Sequence, residues 1–262
     1  YIFQSKRMNT TYITNLFSNK TWRKLFKHIR MKSKGLEYRE IIAASYAFNP
    51  VTDHIMTASS NIFDLKKAAA MYFWYKLGDR ANMMILNYFD EYKRCVDDDH
   101  KEFNSNYGYY AYVEGGLDIC IKYLVESKNT RQACFCINNN EAMKPGSIDK
   151  LCTNTIQFFI RKNKLEMVVQ MRSSNFLTLL PYDAFMFTVF YQHVYSRLRS
   201  NVYYDLQTGL IHMQVASLHM YDEDLNKYTK TDNGEPIIIT DFADKNWQNE
   251  LEQKLLNILK KY

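Results

Sequence analysis

Cys152 and Arg172 bracket two strand-like runs, and their types suit nucleophilic chemistry on an anionic ligand. Residues 155–161 and 165–171 are rich in Ile, Val and Phe and are joined by the polar turn Lys162-Asn163-Lys164, which predicts a β-hairpin. A hairpin brings its outer ends together. The thiol just before the first strand and the guanidinium just after the second, followed by Ser173 and Ser174, then come within reach of one small ligand. A buried arginine beside a cysteine also favours the thiolate, the reactive form. Core packing is the competing reading, because cysteine is among the most buried residue types.

The elements that must hold this hairpin follow from periodicity. Residues 39–48 (REIIAASYAF) read as a short apolar strand closed by Asn49-Pro50. Residues 61–77 read as a helix with Asp64 near its start and Gly78 as its C-cap. A second helix is expected over 82–96, leading into the acidic loop Asp97-Asp98-Asp99. The polar turn at 104–106 runs into an aromatic segment, and a helix near 116–127 precedes a buried strand at 133–137. After the hairpin come a long apolar helix over 181–197 and a strand at 209–218 that leads into His219-Met220-Tyr221. The tail at 246–260 is an amphipathic helix with Leu251, Leu255, Ile258 and Leu259 on one side. Residues 13–33 read as a basic amphipathic helix carrying Leu16, Phe17, Trp22, Leu25, Phe26 and Ile29 at helical spacing. The opening Tyr1–Ser5 has the look of a protease-cleavage remnant, with Met8 as a native start. The chain therefore divides into an N-terminal helix with tag remnant at 1–38 and one domain at 39–262. Strands mixed irregularly with helices indicate a single α+β domain.

Composition narrows the class. Hydrophobic residues make up 47% of the 262, ample for a core, and only 8 Gly and 4 Pro leave little room for flexible linkers. The net charge of +6 comes from Lys and Arg scattered among acids, which favours small anionic ligands over a polynucleotide track. No basic-aromatic tract suited to single-stranded nucleic acid stands out. The cysteines Cys95, Cys120, Cys134, Cys136 and Cys152 are odd in number and lack CxxC spacing, so reduced thiols in a cytoplasmic compartment are expected. The six His do not pair with them at zinc-ligand spacings, and apolar runs such as 68–75 are too short to span a membrane.

With LCTNTIQFFIR around Cys152, MRSS at 171–174 followed by Asp183, ASLHMY at 216–221, NSNYGY at 104–109 and REIIAAS at 39–45, the chain resembles the thymidylate synthase superfamily, and within it the phage deoxycytidylate hydroxymethylase branch. The likeness runs in order from about residue 39 to 225. It implies a three-layer fold with a large mixed β-sheet and a homodimer packed sheet to sheet. It also implies that Cys152 adds to C6 of a pyrimidine 5′-monophosphate, and that C5 then attacks the one-carbon unit of 5,10-methylenetetrahydrofolate. Position by position, it makes Gln157 the glutamine of the strand after the nucleophile and Arg172 and Ser173 phosphate ligands. His219 and Tyr221 become the pair on the sugar 3′-hydroxyl, Arg131 an arginine reaching across the dimer, and Tyr107 a tyrosine near the nucleophile. Asp183 stands where the deoxycytidylate enzymes carry Asp and the uridylate enzymes Asn. A carboxylate can accept from the cytosine 4-amino group and pair with N3 as that atom gains a proton, but offers nothing to O4 of uracil unless protonated. Capping the following helix is the competing role for Asp183.

Several family positions differ. The helix carboxylate expected before Gly78 aligns with Met71, and Asp64 would need a shifted register to replace it. The folate-contacting Asp is Asn175, a glycine near the folate is Leu179, and the second Arg of a tandem pair is Gln132. Three readings follow: a cytidylate hydroxymethylase with displaced helper residues, a folate-independent C5 chemistry on a cytidine nucleotide, and a nucleotide-binding homologue without catalysis.

Overall fold

The computed structural model describes residues 12–14, 38–51, 55–56, 63–140, 143–227, 236–237 and 246–260. In chain order the elements are β1 (Tyr12–Thr14), β2 (Tyr38–Phe48), β3 (Ile55–Met56), α1 (Leu65–Leu77), α2 (Gly116–Glu126), β4 (Cys134–Cys136), β5 (Thr153–Arg161) and β6 (Lys164–Asn175). They continue with α3 (Leu180–Asn201), β7 (Gln207–Tyr221), α4 (Asp222–Lys227), β8 (Pro236–Ile237) and α5 (Trp247–Lys260).

Six strands form one mixed sheet in the order β1-β2-β7-β6-β5-β4. β6 and β7 are parallel neighbours joined through α3, and the other pairs of the central four strands are antiparallel. Alternation along β5 and β6 buries Ile156, Phe158, Ile160, Leu165, Met167 and Val169, giving the sheet one apolar face. Helix α3 packs on β6 and β7, α1 packs on α3, and α5 packs on α1. Sandwiched between sheet and α1, α3 must be apolar nearly all round, as its buried Phe185, Phe187, Val189, Phe190 and Val194 show. The result is the expected α+β architecture with a large mixed sheet.

The hairpin forms as the sequence predicts, with a tighter turn. Arg161 pairs with Lys164, so the loop is the two residues Lys162 and Asn163, at φ 50° and 59°. Positive φ at both positions is what a type I′ hairpin turn requires, and Asn tolerates it well. Helix α1 starts at Leu65, where Asp64 caps it by accepting from the Lys66 amide at 2.7 Å, and Gly78 at φ 61° closes it. Over 82–96 the expected α-helix is replaced by two 3-10 helices, Met83–Asn87 and Asp90–Cys95. The break falls at Phe89, which turns extended and packs its ring 5.0 Å from Tyr182, so core burial overrides helical periodicity. In the N-terminal stretch, Ile13 and Thr14 lie in a strand parallel to β2 rather than a helix, and residues 15–37 lie outside the described residues.

One close approach positions the segment around Tyr107. Asn106 donates to the carbonyls of Trp74 and Asp79, both at 3.2 Å, docking the segment on the end of α1. A Cβ on Gly108 would lie 1.7 Å from the Tyr75 carbonyl oxygen and 2.4 Å from its Cα, atoms of α1's backbone that cannot swing aside. Gly108→Ala should therefore destabilise the fold by about 3 kcal/mol. Urea denaturation checks this, and an unchanged midpoint would contradict it.

Candidate active site

The ends of β6 and β7 are in parallel register, Ser173 beside Ser217 and Asn175 beside His219. Across the other edge of β6, Thr153 pairs with Met171, and the Arg172 amide donates to the Cys152 carbonyl at 2.8 Å. This strand pairing brings the thiol, the guanidinium and the His219-Tyr221 segment to one end of the sheet. There they line a cavity of about 390 Å³ together with Tyr107, Ser173 and Asp183.

Arg172 is fixed by the backbone around the nucleophile. Its Nε donates to the Leu151 carbonyl at 2.7 Å and its second terminal nitrogen to the Lys150 carbonyl at 2.9 Å. The other terminal nitrogen donates to Ser173 Oγ at 3.1 Å. Cys152 Sγ lies 3.7 Å from the guanidinium and 3.6 Å from Ser173 Oγ. Those contacts lower the thiol's pKa, but burial outweighs them and leaves it above its ordinary value. The sequence-based expectation of a favoured thiolate is thus corrected for the ligand-free cavity, because desolvation penalises the anion more than one cation repays.

Asp183 lies in the first turn of α3, and its own amide donates to Leu179 O at 2.9 Å. Its carboxyl does not cap the helix and has no hydrogen-bond partner among the described residues. Burial pushes it up to about 8, so the acid form dominates in the ligand-free cavity at neutral pH; that form can donate to O4 of uracil as well as to N3 of cytosine, so it does not by itself exclude uracil. Burial also lowers His219, leaving the ring neutral. With Nδ1 3.4 Å from the Ser217 carbonyl, the tautomer that donates there presents Nε2 as an acceptor. The Tyr221 ring stands 5.3 Å from His219 in an edge contact, and Tyr38 flanks both. The buried Tyr107 hydroxyl accepts from the Thr153 amide at 3.3 Å, directly beside the nucleophile in sequence.

A latch without a signal in the sequence ties the segment before Cys152 to the one before Tyr107. Asp149 accepts from both the amide and the hydroxyl of Ser105 at 2.8 Å, and Asn104 donates to the Asp149 carbonyl at 3.1 Å. The contact links residues 44 apart, and no local pattern encodes such a pair. Glu91, Tyr92 and Cys95, from the broken helical stretch, and the buried Ser174 also line the cavity.

Other predicted residues lie elsewhere or are otherwise engaged. Gln157 is not on the cavity wall; it donates to the Arg131 carbonyl at 2.7 Å, and the exposed Arg131 side chain is likewise outside the cavity of its own chain. Asn175 lines the cavity, but its oxygen accepts from the Leu177 and Thr178 amides at 3.0 and 3.2 Å and its nitrogen donates to Asp224 at 3.1 Å. Leu179 adds an apolar wall. Met71 is buried in the core and Asp64 is occupied capping α1, so neither supplies a carboxylate to the cavity. The one polar side chain expected to meet a folate, Asn175, is thus committed to the chain's own turn and to Asp224. Among the described residues no cluster of His, Cys, Asp and Glu could hold a metal ion, and no helix is long and apolar enough to cross a membrane.

Comparison with known proteins finds similarity in sequence and in fold. The deoxycytidylate 5-hydroxymethyltransferases of Enterobacteria phage T4 and phage T2 are each 33% identical to the chain over 81 residues. The matched segment covers 28% of this chain and only 33% of those relatives. The solved structure of thermostable thymidylate synthase A from Bacillus subtilis superposes with a TM-score of 0.65 at 12% identity, covering 89% of this chain and 91% of that one. No protein-family model matches.

Proposed function

We propose that this chain, which has the thymidylate synthase fold, modifies C5 of a pyrimidine 5′-monophosphate, with dCMP as the preferred substrate and a hydroxymethyl group as the product. The observation that carries the reading is the convergence of Cys152, Arg172, Ser173, Asp183 and His219 on one cavity. The cavity's volume suits a single nucleotide-sized ligand. Arg172 and Ser173 take the phosphate, Nε2 of His219 and the Tyr221 hydroxyl meet the sugar, and the anchored ring presents C6 to Cys152. Attack of the thiolate forms the S–C6 bond and drives electron density toward C5 and N3, and Asp183 delivers its proton to N3. Tyr107 braces the Thr153 amide beside the sulfur. Methylenetetrahydrofolate is the one-carbon donor that the superfamily resemblance implies. The exposed Arg131 suits a homodimer in which it reaches the phosphate of the other copy, with Gln157 holding its backbone.

Release of tritium from [5-³H]dCMP tests the reading. Release that requires methylenetetrahydrofolate supports hydroxymethylation; tight dCMP binding without release under any condition overturns it. The second reading, C5 chemistry without folate, is favoured by one observation, the engagement of Asn175 with Asp224 and its own turn. Folate-independent release would select it.

Asp183 makes the pH dependence specific. The acid form works, so its contribution is lost as pH rises through about 8, whereas Cys152 works as a thiolate, whose fraction grows toward a pKa above the ordinary thiol value. With the thiol's pKa the higher, kcat/KM for dCMP should climb with pH, flatten from about 8, and fall only beyond the thiol's own pKa. In Asp183→Asn the amide cannot give N3 a proton, so dCMP turnover should fall by roughly 100-fold. Preference should move toward dUMP, and the flattening near 8 should vanish. A variant profile that matches the parent's would refute the role.

A further inference from the structure

Lys150 stands on the cavity wall between two anchors. The carboxylate of the preceding residue, Asp149, accepts from the amide and the hydroxyl of Ser105, both at 2.8 Å, and the Lys150 carbonyl accepts from Arg172 at 2.9 Å. The root of the side chain is therefore fixed beside the guanidinium. Its head is exposed and makes no hydrogen bond or ion pair among the described residues. A cation with a fixed root and a free head, next to a partly committed arginine, is placed to meet an anion.

The charge balance of the phosphate subsite calls for a second cation. A phosphate monoester carries about −1.5 to −2 charge at pH 7. Arg172 supplies one positive charge, and much of its fork is committed. Nε and one N–H of each terminal nitrogen go to Leu151, Lys150 and Ser173, which leaves one N–H on each terminal nitrogen for a ligand. One of those nitrogens also lies 3.7 Å from Cys152 Sγ. A dianion balanced by Arg172 alone would leave negative charge beside the sulfur and oppose its ionisation. His219 is neutral and cannot supply the balance. Arg94, also on the wall, belongs to the 3-10 helix, where its charge acts on Cys95, and Arg131 lies outside the cavity of its own chain. We propose that the Lys150 ammonium is the second cation of the phosphate subsite and binds the phosphate oxygens that Arg172 leaves uncovered. The proposal rests on the nucleotide reading of the cavity above.

Lys150→Gln removes the charge and keeps most of the stem. Titration calorimetry should find dCMP weakened by about 10-fold, deoxycytidine unchanged, and Lys150→Arg within about 3-fold of the parent for both. Added potassium chloride should weaken dCMP binding less in Lys150→Gln than in the parent, because one charge pair fewer is there to be screened. A Lys150→Gln protein with the parent's dCMP affinity overturns the proposal. So does an equal loss for nucleotide and nucleoside, or a loss that Lys150→Arg shares, because each marks a displaced loop rather than a missing charge. If the parent binds dCMP, Arg172→Ala loses it, and Lys150→Gln equals the parent, only the lysine assignment falls. If the parent binds dCMP no better than deoxycytidine, the phosphate subsite falls and Lys150 with it.

Discussion

Cys152→Ser should eliminate tritium release from [5-³H]dCMP, by at least about a thousandfold, while dCMP should still bind. The hydroxyl is isosteric enough to stay within the Arg172 and Ser173 contacts at 3.7 and 3.6 Å, so the phosphate anchor survives. It is a far weaker nucleophile, because an alkoxide is inaccessible where burial already raises a thiol. Binding without turnover is the decisive pairing. A protein that lost binding as well would point to a collapsed loop, and one that kept turnover would remove Cys152 from the chemistry. Cys95, on the same cavity wall, serves as the control thiol: Cys95→Ser should leave release intact, since burial and Asp149 hold its pKa up to about 12.

Arg172→Ala should weaken dCMP by about 100-fold or more and leave deoxycytidine binding nearly unchanged. The difference isolates the phosphate, because charge-assisted bonds to it contribute about 2–5 kcal/mol when one partner is removed. The same substitution has a second consequence. Arg172 ties down the Leu151 and Lys150 carbonyls at 2.7 and 2.9 Å, so its loss frees the backbone that presents Cys152 and deprives the thiol of its nearby cation. Turnover of nucleotide that does bind should therefore also fall. Arg172→Lys should not rescue it, since one ammonium cannot span two carbonyls, Ser173 and a phosphate. Calorimetric titration with the nucleotide and the nucleoside separates the two effects; equal losses for both would show that no phosphate sits there.

The hairpin was legible because its signal is local: two runs rich in Ile, Val and Phe, a polar turn at Lys162-Asn163-Lys164, and chemistry-bearing residues at each open end. Strand pairing then carried Cys152 to Arg172. The Asp64 and Gly78 boundaries of α1 were legible for the same reason, since capping is a short-range matter. What the sequence hid is what tertiary burial decides. Phe89 breaks an otherwise helical pattern by turning into the core against Tyr182. Ser105 finds Asp149 across 44 residues. The protonation states of Cys152 and Asp183 are also set by enclosure, and for the thiol enclosure reversed the expectation drawn from its cationic neighbour. Gln157 and Arg131 share a contact on the sheet outside the cavity, a placement that residue spacing alone does not distinguish from one within it.

The central claim is a bond between one sulfur and C6 of the ring. Incubation with 5-fluoro-dCMP and methylenetetrahydrofolate tests it most directly, because fluorine at C5 cannot depart as a cation and the adduct cannot release the thiolate. Peptide mapping by mass spectrometry should find the nucleotide on the peptide that contains Cys152. A protein saturated with nucleotide in which that peptide stays unmodified, or in which the label sits on Cys95, would contradict the account.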